Sequence, residues 1–348
     1  MRVLAVRSDN AGDVLLAGPA VRALAHGADH VTLLAGPHGR AAAELLPGVD
    51  EVLEWRCPWI DPAPPPVDDA ELAGMAQALR ERRFDMALVF TSFHQSPLPM
   101  AMLLRMAGVP WVGAVSEDYP GSLLDLRHRL PDNLPEAERA LSLAAAAGFT
   151  LPDGDTGLLG VRRPLPEPPA GLPGQYVVLH PGTSVPARAW PADRFAEACL
   201  MLTDAGYRVV VTGAPGERAL TARVAAGADA LDLGGQTSLA ELAAVLDSAA
   251  AVVVGNTGPA HLAAAVGTPV VSLFAPTVPA LRWAPYGVPV VLLGDQDAAC
   301  RGTRVTRCPF EGHPCLTQVT ADDVTRAVEK LCGQPRPRDP GRPAEEVC

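Results

Sequence analysis

The chain has 348 residues, more than one ordinary domain of about 100–200 residues carries, so two domains are expected. Apolar residues make up 48% and charged residues 19%, which excludes general disorder, because a disordered chain needs low hydrophobicity and high charge. The formal net charge is −11, from 28 basic and 39 acidic side chains. Since no Lys/Arg cluster offsets this acidity, no nucleic-acid partner is expected.

No apolar stretch reaches the roughly 18–20 residues that a membrane span needs. Arg7, Asp9 and Asp13 interrupt the N-terminus where a signal peptide would carry its apolar segment. The chain has 7 cysteines, and an odd number in a long chain is typical of a reducing compartment. The sequence therefore predicts a cytoplasmic protein with at most peripheral membrane contact.

Short apolar runs alternate with longer helical patterns in the first part of the chain. Such strand–helix–strand repeats imply right-handed crossovers and a parallel sheet. The predicted elements are, in order, strand 3–6, helix 12–26, strand 31–34, helix 40–46, strand 51–55, helix 68–83, strand 86–90 and strand 111–115.

The pattern is interrupted between residues 151 and 174, where the Pro-rich stretch 164–169 disfavours regular structure. A second alternating series follows this candidate linker. Its predicted strands lie at 176–179, 208–212, 230–233, 251–254, 270–274 and 288–293, and its predicted helices at 192–205, 215–226, 238–248, 259–266 and 321–331.

These patterns predict an α/β protein built from two Rossmann-like, doubly wound domains that face a cleft. In such open sheets, ligands bind at the carboxyl ends of the strands. The predicted segments are an N-terminal domain over 1–160, a linker over 161–174, a C-terminal domain over 175–320, a helix over 321–332 and a disordered tail over 333–348.

The clearest motif follows the predicted strand at 251–254. After Asn256, Thr257 suits an N-cap, Gly258 lets a ligand approach the backbone and a proline falls in the first helical turn. The first-turn N–H groups would then be free, and the helix dipole favours an anion. The motif predicts a phosphate-binding loop, although an ordinary strand–helix turn has the same features. His261 is either a phosphate or sugar ligand or a core or capping histidine.

Two other strands of this half end in small, polar loops. Thr183 and Ser184 offer hydroxyl donors, and Arg188 brings fork-shaped donors for phosphate oxygens or is a surface arginine. Glu217 either accepts ribose hydroxyls or only complements a helix dipole. Neither G-x-G-x-x-G nor G-x-x-x-x-G-K-[ST] occurs, so dinucleotide oxidoreductases and P-loop NTPases lose their main support.

Polar residues also follow strands of the first half. Asp13, with Asn10 and Gly12 beside it, lies just after the first strand. Its carboxylate could take a proton from a substrate hydroxyl, or could cap the helix and match its dipole. His94 and Gln95, after the strand at 86–90, are either acceptor contacts or loop residues without a role.

Together these motifs resemble glycosyltransferase family 9, the heptosyltransferase-like enzymes, over roughly residues 1–332. The resemblance depends on five motifs in a fixed order. They are Gly12-Asp13-Val14, His180-Pro181-Gly182, Arg188-Ala189-Trp190-Pro191, Gly213 to Glu217, and Asn256-Thr257-Gly258-Pro259-Ala260-His261.

The resemblance implies a GT-B fold in which the N-terminal domain binds the acceptor, the C-terminal domain binds the nucleotide sugar and the final helix packs back. It implies an inverting, metal-independent displacement at the anomeric carbon, with Asp13 as the general base. Asn256 stands where the family commonly has Asp. The implied donor contacts are Arg188, where the family often has Lys, Glu217, Thr257, Gly258 and His261.

An ADP-heptose-like donor and a glycan acceptor such as lipopolysaccharide follow from the same resemblance, with no cofactor and no metal. A small-molecule acceptor stays open. Two other functions also stay open: a nucleotide-sugar epimerase or hydrolase of the same fold, and a non-catalytic nucleotide-sugar-binding protein, which Asn256 motivates.

Cys300, Cys308 and Cys315 lie in one loop with His313. Three Cys and one His could ligate zinc, but the spacing lacks the usual close Cys pair. Zinc, a disulfide and free thiols stay open, and the resemblance suggests a structural loop.

Overall fold

The computed structural model describes residues 1–131 and 133–333, so the predicted tail over 333–348 lies, Gly333 apart, outside the described residues. The described chain divides into two compact units. Unit 1 comprises 1–166, 257–267 and 278–288, and unit 2 comprises 167–256, 268–277 and the residues from 289 onward. The chain passes from unit 1 to unit 2 inside the predicted linker, and two short stretches of the second half pack with unit 1.

Unit 1 contains a six-stranded parallel sheet in the order β3-β2-β1-β4-β5-β6. The strand order reverses between β1 and β4, the place where doubly wound sheets bind ligands. Its elements are β1 (Arg2–Arg7), α1 (Ala11–Leu16), α2 (Gly18–Gly27), β2 (His30–Ala35), α3 (Arg40–Leu45), β3 (Glu51–Glu54), α4 (Asp69–Arg82), β4 (Met86–Val89), α5 (Leu98–Met106), β5 (Val112–Val115), β6 (Leu126–His128) and α6 (Glu136–Ala146).

Unit 2 contains a second six-stranded parallel sheet, in the order β12-β11-β10-β7-β8-β9. The remaining elements are β7 (Tyr176–His180), α7 (Ala192–Asp204), β8 (Arg208–Val211), α8 (Arg218–Ala225), β9 (Ala230–Asp232), α9 (Leu239–Asp247), β10 (Ala251–Gly255), α10 (Gly258–Val266), β11 (Val270–Leu273), α11 (Ala280–Trp283), β12 (Val290–Leu293), α12 (Pro314–Thr317) and α13 (Ala321–Cys332). Of these, α10 and α11 belong to unit 1.

The two sheets repeat one topology. If the unit 2 strands are counted from β7, their order is the same 3-2-1-4-5-6 as in unit 1. The α/β prediction with two Rossmann-like domains is therefore confirmed. The central strands are buried on both faces, because helices cover both sides of a parallel sheet.

Most predicted elements exist, but the predicted helix at 12–26 is wrong as a single helix. The chain forms α1 and α2, separated at Ala17, and Pro19 lies in the first turn of α2, where its missing N–H breaks no helical hydrogen bond. The predicted helix at 215–226 begins with a short 3₁₀ turn over Pro215–Glu217. Five elements were not predicted: α5, β6, α6, α11 and α12. The last two have four residues each, too few to show a helical period.

No helix in the described ranges combines the length and apolar character needed to span a bilayer. The core of unit 2 includes Trp190 and Phe195, whose rings meet edge to face with centroids 4.8 Å apart. Both rings lie in the core that α7 shares with the sheet.

Replacing Phe195 with alanine should lower the free energy of unfolding by about 3–5 kcal/mol. Phe195 is 1% exposed, so removal of its ring loses buried apolar contacts and leaves a cavity in the core. Leu200→Ala, at a 39% exposed position of the same helix, is the matched control and should change it by less than about 0.5 kcal/mol. Urea unfolding followed by circular dichroism measures both. Equal losses would contradict the placement of Phe195 in the core.

Candidate active site

Arg7 ends β1 as a buried cation between two carboxylates. Its Nη2 lies 3.0 Å from Asp13 Oδ1 and 2.9 Å from the Ser92 hydroxyl, and its Nε lies 3.0 Å from Asp9 Oδ2. Burial alone would lower the pKa of Arg7, but Asp9, Asp13 and Glu136 outweigh it and raise that pKa above its usual value. The guanidinium is therefore permanently charged, and it fixes both carboxylates at the carboxyl edge of the sheet.

A second layer of charge lies behind Arg7. Glu136, in the first turn of α6, is buried and accepts from Arg282 Nη1 at 3.4 Å. Burial raises the pKa of Glu136, and the nearby cations of Arg7, Arg139 and Arg282 oppose that rise. Burial disfavours charge on Arg139 as well, and therefore lowers the pKa of this cation. Charges of both signs thus neutralise one another around Asp13.

The segment 278–288, which follows β11 in sequence, supplies a second donor to Asp13. The indole Nε1 of Trp283 donates to Asp13 Oδ1 at 3.2 Å. The same ring packs against Phe93 with centroids 5.6 Å apart, and the Arg282 guanidinium lies 4.8 Å above the centre of the Phe93 ring. Asp13 is therefore held by contacts from β1 and from this distant segment, and its side chain keeps 19% of its surface exposed.

The start of α10 packs directly on the start of α1. A Cβ on Gly12 would lie 2.7 Å from the imidazole carbon Cδ2 of His261 and 3.4 Å from the Gly258 Cα, so only glycine fits at position 12. The structure therefore brings Asp13, Gly258 and His261 together within unit 1. His261 is buried in this contact.

Thr257 is the N-cap of α10, as expected, with extended backbone angles and no side-chain cap bond. The prediction that the first-turn N–H groups are free is wrong for Ala260, whose N–H donates to the Thr257 carbonyl at 3.0 Å. Because this N–H is used within the first turn of α10, fewer backbone donors remain for an anion than the motif at 256–261 predicts.

The three other acceptor candidates lie on loops of unit 1. Asn10 is the exposed N-cap of α1 and makes no side-chain cap bond. His94 is exposed and stacks edge-on against Phe93. The Gln95 amide is committed at both ends, since Nε2 donates to Asp9 Oδ1 at 2.5 Å and Oε1 accepts from the Ser92 N–H at 2.9 Å. In this structure Gln95 braces Asp9, and acceptor contact by these residues stays a prediction.

In unit 2 the loops after β7, β8 and β10 lie at one edge, because those strands are neighbours in the sheet. Glu217 lies directly over Gly182, where an added Cβ would come within 2.1 Å of the carboxylate. Glu217 Oε2 also accepts from the Ala214 N–H at 2.8 Å. The carboxylate therefore has a fixed position that depends on glycine in the loop after β7.

Arg188 ends a short 3₁₀ turn over Pro186–Arg188, and its carbonyl lies next to Gly255, where a Cβ would approach it to 3.2 Å. The backbone of this turn is tied to the loop at 300–317, because Ala187 donates to the Thr306 carbonyl at 3.0 Å and accepts from His313 Nε2 at 3.1 Å. This places Arg188 beside the end of β10.

Asn256 follows β10 and is 4% exposed, and its Nδ2 has no hydrogen-bond partner in the described part of the chain. A buried amide N–H without a partner is costly, so Asn256 offers a donor that a ligand could use.

Thr183 is half-buried and accepts from the Val185 N–H at 3.3 Å, and Ser184 is exposed. Unit 2 thus brings together Arg188, Glu217 and Asn256 near one sheet edge.

The loop cysteines are free thiols in the described structure. Cys300 and Cys315 are buried side by side, and burial together with Cys300 raises the pKa of Cys315 to about 12. The described residues contain no group of three or more His, Cys, Asp or Glu side chains arranged to hold a metal ion. The loop packs against the turn that carries Arg188.

Sequence reasoning missed Arg7, Glu136, Arg282 and Trp283. For Arg7 a signal existed, because an arginine that ends a buried apolar strand and is followed by two aspartates within six positions needs an ion pair. For the other three no local signal existed. Their role follows from the packing of α6 and α11 around Asp13.

Two Rossmann-like sheets with ligand loops at their carboxyl edges define the GT-B class of fold. Residues 72–313 match the sequence profile of glycosyltransferase family 9 (heptosyltransferase), so the chain belongs to that family and is a glycosyltransferase. The resemblance predicted from the motifs is confirmed. A search of curated protein sequences finds no match.

Solved structures with the same fold include three glycosyltransferases. A family 9 enzyme from Veillonella parvula DSM 2008 shares 19% identity with a TM-score of 0.76, covering 95% of this chain and 97% of its own. The E. coli ADP-heptose lps heptosyltransferase II shares 21% with a TM-score of 0.70, covering 95% and 98%. The iron-containing dodecameric TibC of enterotoxigenic E. coli H10407 shares 15% with a TM-score of 0.54, covering 95% and 75%.

Replacing Gly182 with alanine should displace the Glu217 carboxylate and weaken nucleoside diphosphate binding by about tenfold, the effect of losing one well-placed hydrogen bond to ligand. Gly216→Ala is the matched control, because a Cβ there meets nothing within 4 Å. Isothermal titration with ADP measures both. Equal affinity for the two variants would show that ADP binding does not depend on the position of the Glu217 carboxylate.

His180, the last residue of β7, should make unit 2 lose stability in acid. Burial lowers its pKa to about 4 from a usual value of 6.5, and its Nδ1 lies 2.9 Å from the Thr212 hydroxyl. As the pH falls from about 6.5 toward 4, the unfolded chain takes up a proton that the folded chain refuses, and stability falls by on the order of 3 kcal/mol.

The measurement is the free energy of unfolding of wild type and His180→Asn between pH 4 and 7. The variant should lose less stability than wild type over that range. His26→Asn, at an exposed position, is the control and should follow the wild-type curve. A His180→Asn curve parallel to wild type would show that this imidazole is not the source of the acid sensitivity.

Proposed function

We propose that the protein transfers a sugar from a nucleoside-diphosphate sugar to an acceptor hydroxyl, with Asp13 as the general base. Asp13 takes the hydroxyl proton, and the acceptor oxygen attacks the anomeric carbon. The carbon–oxygen bond to the diphosphate then breaks, and the nucleoside diphosphate leaves with the bonding electrons. Attack opposite the leaving group inverts the anomeric centre, and no metal is needed in this scheme.

One observation carries the proposal: Asp13 is partly exposed, ion-paired to Arg7 and packed beside the start of α10. A carboxylate that acts as a general base must be within reach of the substrate, and 19% exposure of the Asp13 side chain meets that need. A residue that served only to match the dipole of a six-residue helix would need no buried arginine and no indole donor.

The donor half of the proposal assigns the leaving diphosphate to donors at the end of β10. Negative charge grows on the leaving group in the transition state, and fixed donors stabilise it without reorganising. We assign this task to the Arg188 guanidinium and the unpartnered Asn256 amide of unit 2. Thr257, Gly258 and His261 at the start of α10 remain proposed donor contacts. Glu217 accepts from the ribose, and Thr183 and Ser184 contact the donor.

We further propose an ADP-heptose-like donor, a glycan of the cell envelope such as lipopolysaccharide as acceptor, and a cytoplasmic site of action. The support is membership of a heptosyltransferase family and the fold shared with an ADP-heptose lps heptosyltransferase. Asn10, Gly12, His94 and Gln95, like Asp13, follow the carboxyl ends of β1 and β4 and remain the proposed acceptor contacts.

Asp13→Asn should lower kcat for sugar transfer by about 10²–10⁴-fold, because the amide cannot accept the hydroxyl proton. Affinity for ADP should stay within about twofold of wild type. The assay is release of ADP from ADP-heptose with and without a glycan acceptor, and titration calorimetry measures ADP binding. Asp69→Asn is the matched control, since Asp69 is an exposed first-turn acid of α4 in the same unit.

Full turnover by Asp13→Asn would show that Asp13 is not the base. Equal ADP release without any acceptor would instead support a hydrolase, and conversion of the donor to an isomeric nucleotide sugar without ADP release would support an epimerase. Binding of ADP without turnover of any donor would support a binding protein.

A further inference from the structure

Asp13 uses its two carboxylate oxygens unequally. Both hydrogen bonds that it accepts end on Oδ1, from Arg7 Nη2 at 3.0 Å and from Trp283 Nε1 at 3.2 Å. No hydrogen bond from the described residues ends on Oδ2. One oxygen is thus committed to the protein, and the other is available to a substrate.

Two donors are needed for this arrangement. The final torsion of an aspartate side chain joins an sp³ to an sp² carbon, so it is broad and roughly two-fold, and the two oxygens exchange easily. Arg7 alone contacts Asp13 through one nitrogen, about which the carboxylate can still rotate. A second donor from a different direction on the same oxygen removes that freedom.

Trp283 is held firmly enough to act as this donor. Its ring is 8% exposed and packs on Phe93, and its neighbour Arg282 pairs with the buried Glu136. Tyr286 fastens the same segment a turn later by donating to Glu138 Oε1 at 3.1 Å. Because several side chains anchor the segment, the indole N–H keeps a fixed direction toward Asp13.

We propose that Trp283 is a positioning residue that holds Asp13 so that Oδ2 takes the proton of the acceptor hydroxyl. This inference rests on the proposed role of Asp13 as the base. Trp283 touches neither substrate nor reacting atom in this scheme and acts only through the orientation of the carboxylate. The geometry of the base relative to the acceptor then depends on a residue some 270 positions later in the chain.

The test compares Trp283→Phe with Tyr286→Phe. The first removes the N–H and keeps an aromatic ring against Phe93, and the second removes one hydrogen bond of the same segment without touching Asp13. Trp283→Phe should lower kcat by about 10- to 100-fold, the usual effect of a misplaced catalytic group, with KM for the donor unchanged. Tyr286→Phe should stay within about twofold of wild type, because the Trp283–Phe93 contact and the Arg282–Glu136 pair still hold the segment.

A second measurement does not need activity. In ¹⁵N-labelled protein, the Trp283 indole N–H resonance should move toward the position of a solvent-exposed indole in Asp13→Ala, because its acceptor is gone. The Trp55 indole, which donates to Glu71 Oε1 at 2.9 Å in the same unit, is the internal control and should not move. An unmoved Trp283 resonance would overturn the inference even if Trp283→Phe failed to fold.

The outcomes separate this inference from the proposed function. Wild-type kcat in Trp283→Phe together with an inactive Asp13→Asn would overturn the role of Trp283 and leave the base in place. Equal losses in Trp283→Phe and Tyr286→Phe would also overturn it, since the segment as a whole would then be responsible. An active Asp13→Asn would overturn the base assignment itself. If both assignments hold, the double variant Asp13→Asn/Trp283→Phe should have the same kcat as Asp13→Asn, because Trp283 acts only through the Asp13 carboxylate.

Discussion

The ion pair between Arg7 and Asp13 is the constraint on which the candidate site depends. A guanidinium buried at the end of a sheet strand is costly unless carboxylates neutralise it, and Asp9, just after β1, and Asp13, in the first turn of α1, do so. Because the strand is rigid, the position of Asp13 is fixed by the sheet rather than by its own short helix. Trp283 donates to the same carboxylate, and the start of α10 packs on the neighbouring Gly12.

The second constraint is glycine at two positions where any side chain would collide with a neighbouring segment. Gly12 lets α10 pack on α1, and Gly182 leaves room for the Glu217 carboxylate. Both glycines follow strands, where doubly wound sheets place their ligands. The same topology in both units therefore yields two strand-end edges, and we propose that one carries a carboxylate for an acceptor and the other carries donors for a nucleotide.

Much of the fold could be predicted from the sequence, because parallel strands buried on both faces read as continuous apolar runs. The predicted strand at 251–254 and the observed β10 differ by one residue, and the helix that follows begins where its N-cap and proline suggest. The error at 12–26 has a local cause, since a proline can start a helix but not continue one. The four-residue α11 could not be predicted, because its position depends on Arg282 and Glu136 and not on periodicity.

The sequence by itself determined the α/β class, the repeated strand–helix order, the family and the candidates Asp13, Arg188, Glu217 and Asn256, because strand ends and small turn residues leave a local signature. Only the tertiary structure decided that Arg7 pairs with Asp13, that Glu217 needs Gly182 and that Trp283 donates to the same oxygen as Arg7. The physical reason is the sequence distance over which each interaction acts. Propensity and capping act over a few residues, whereas burial and charge neutralisation join side chains that the chain separates by up to hundreds of positions.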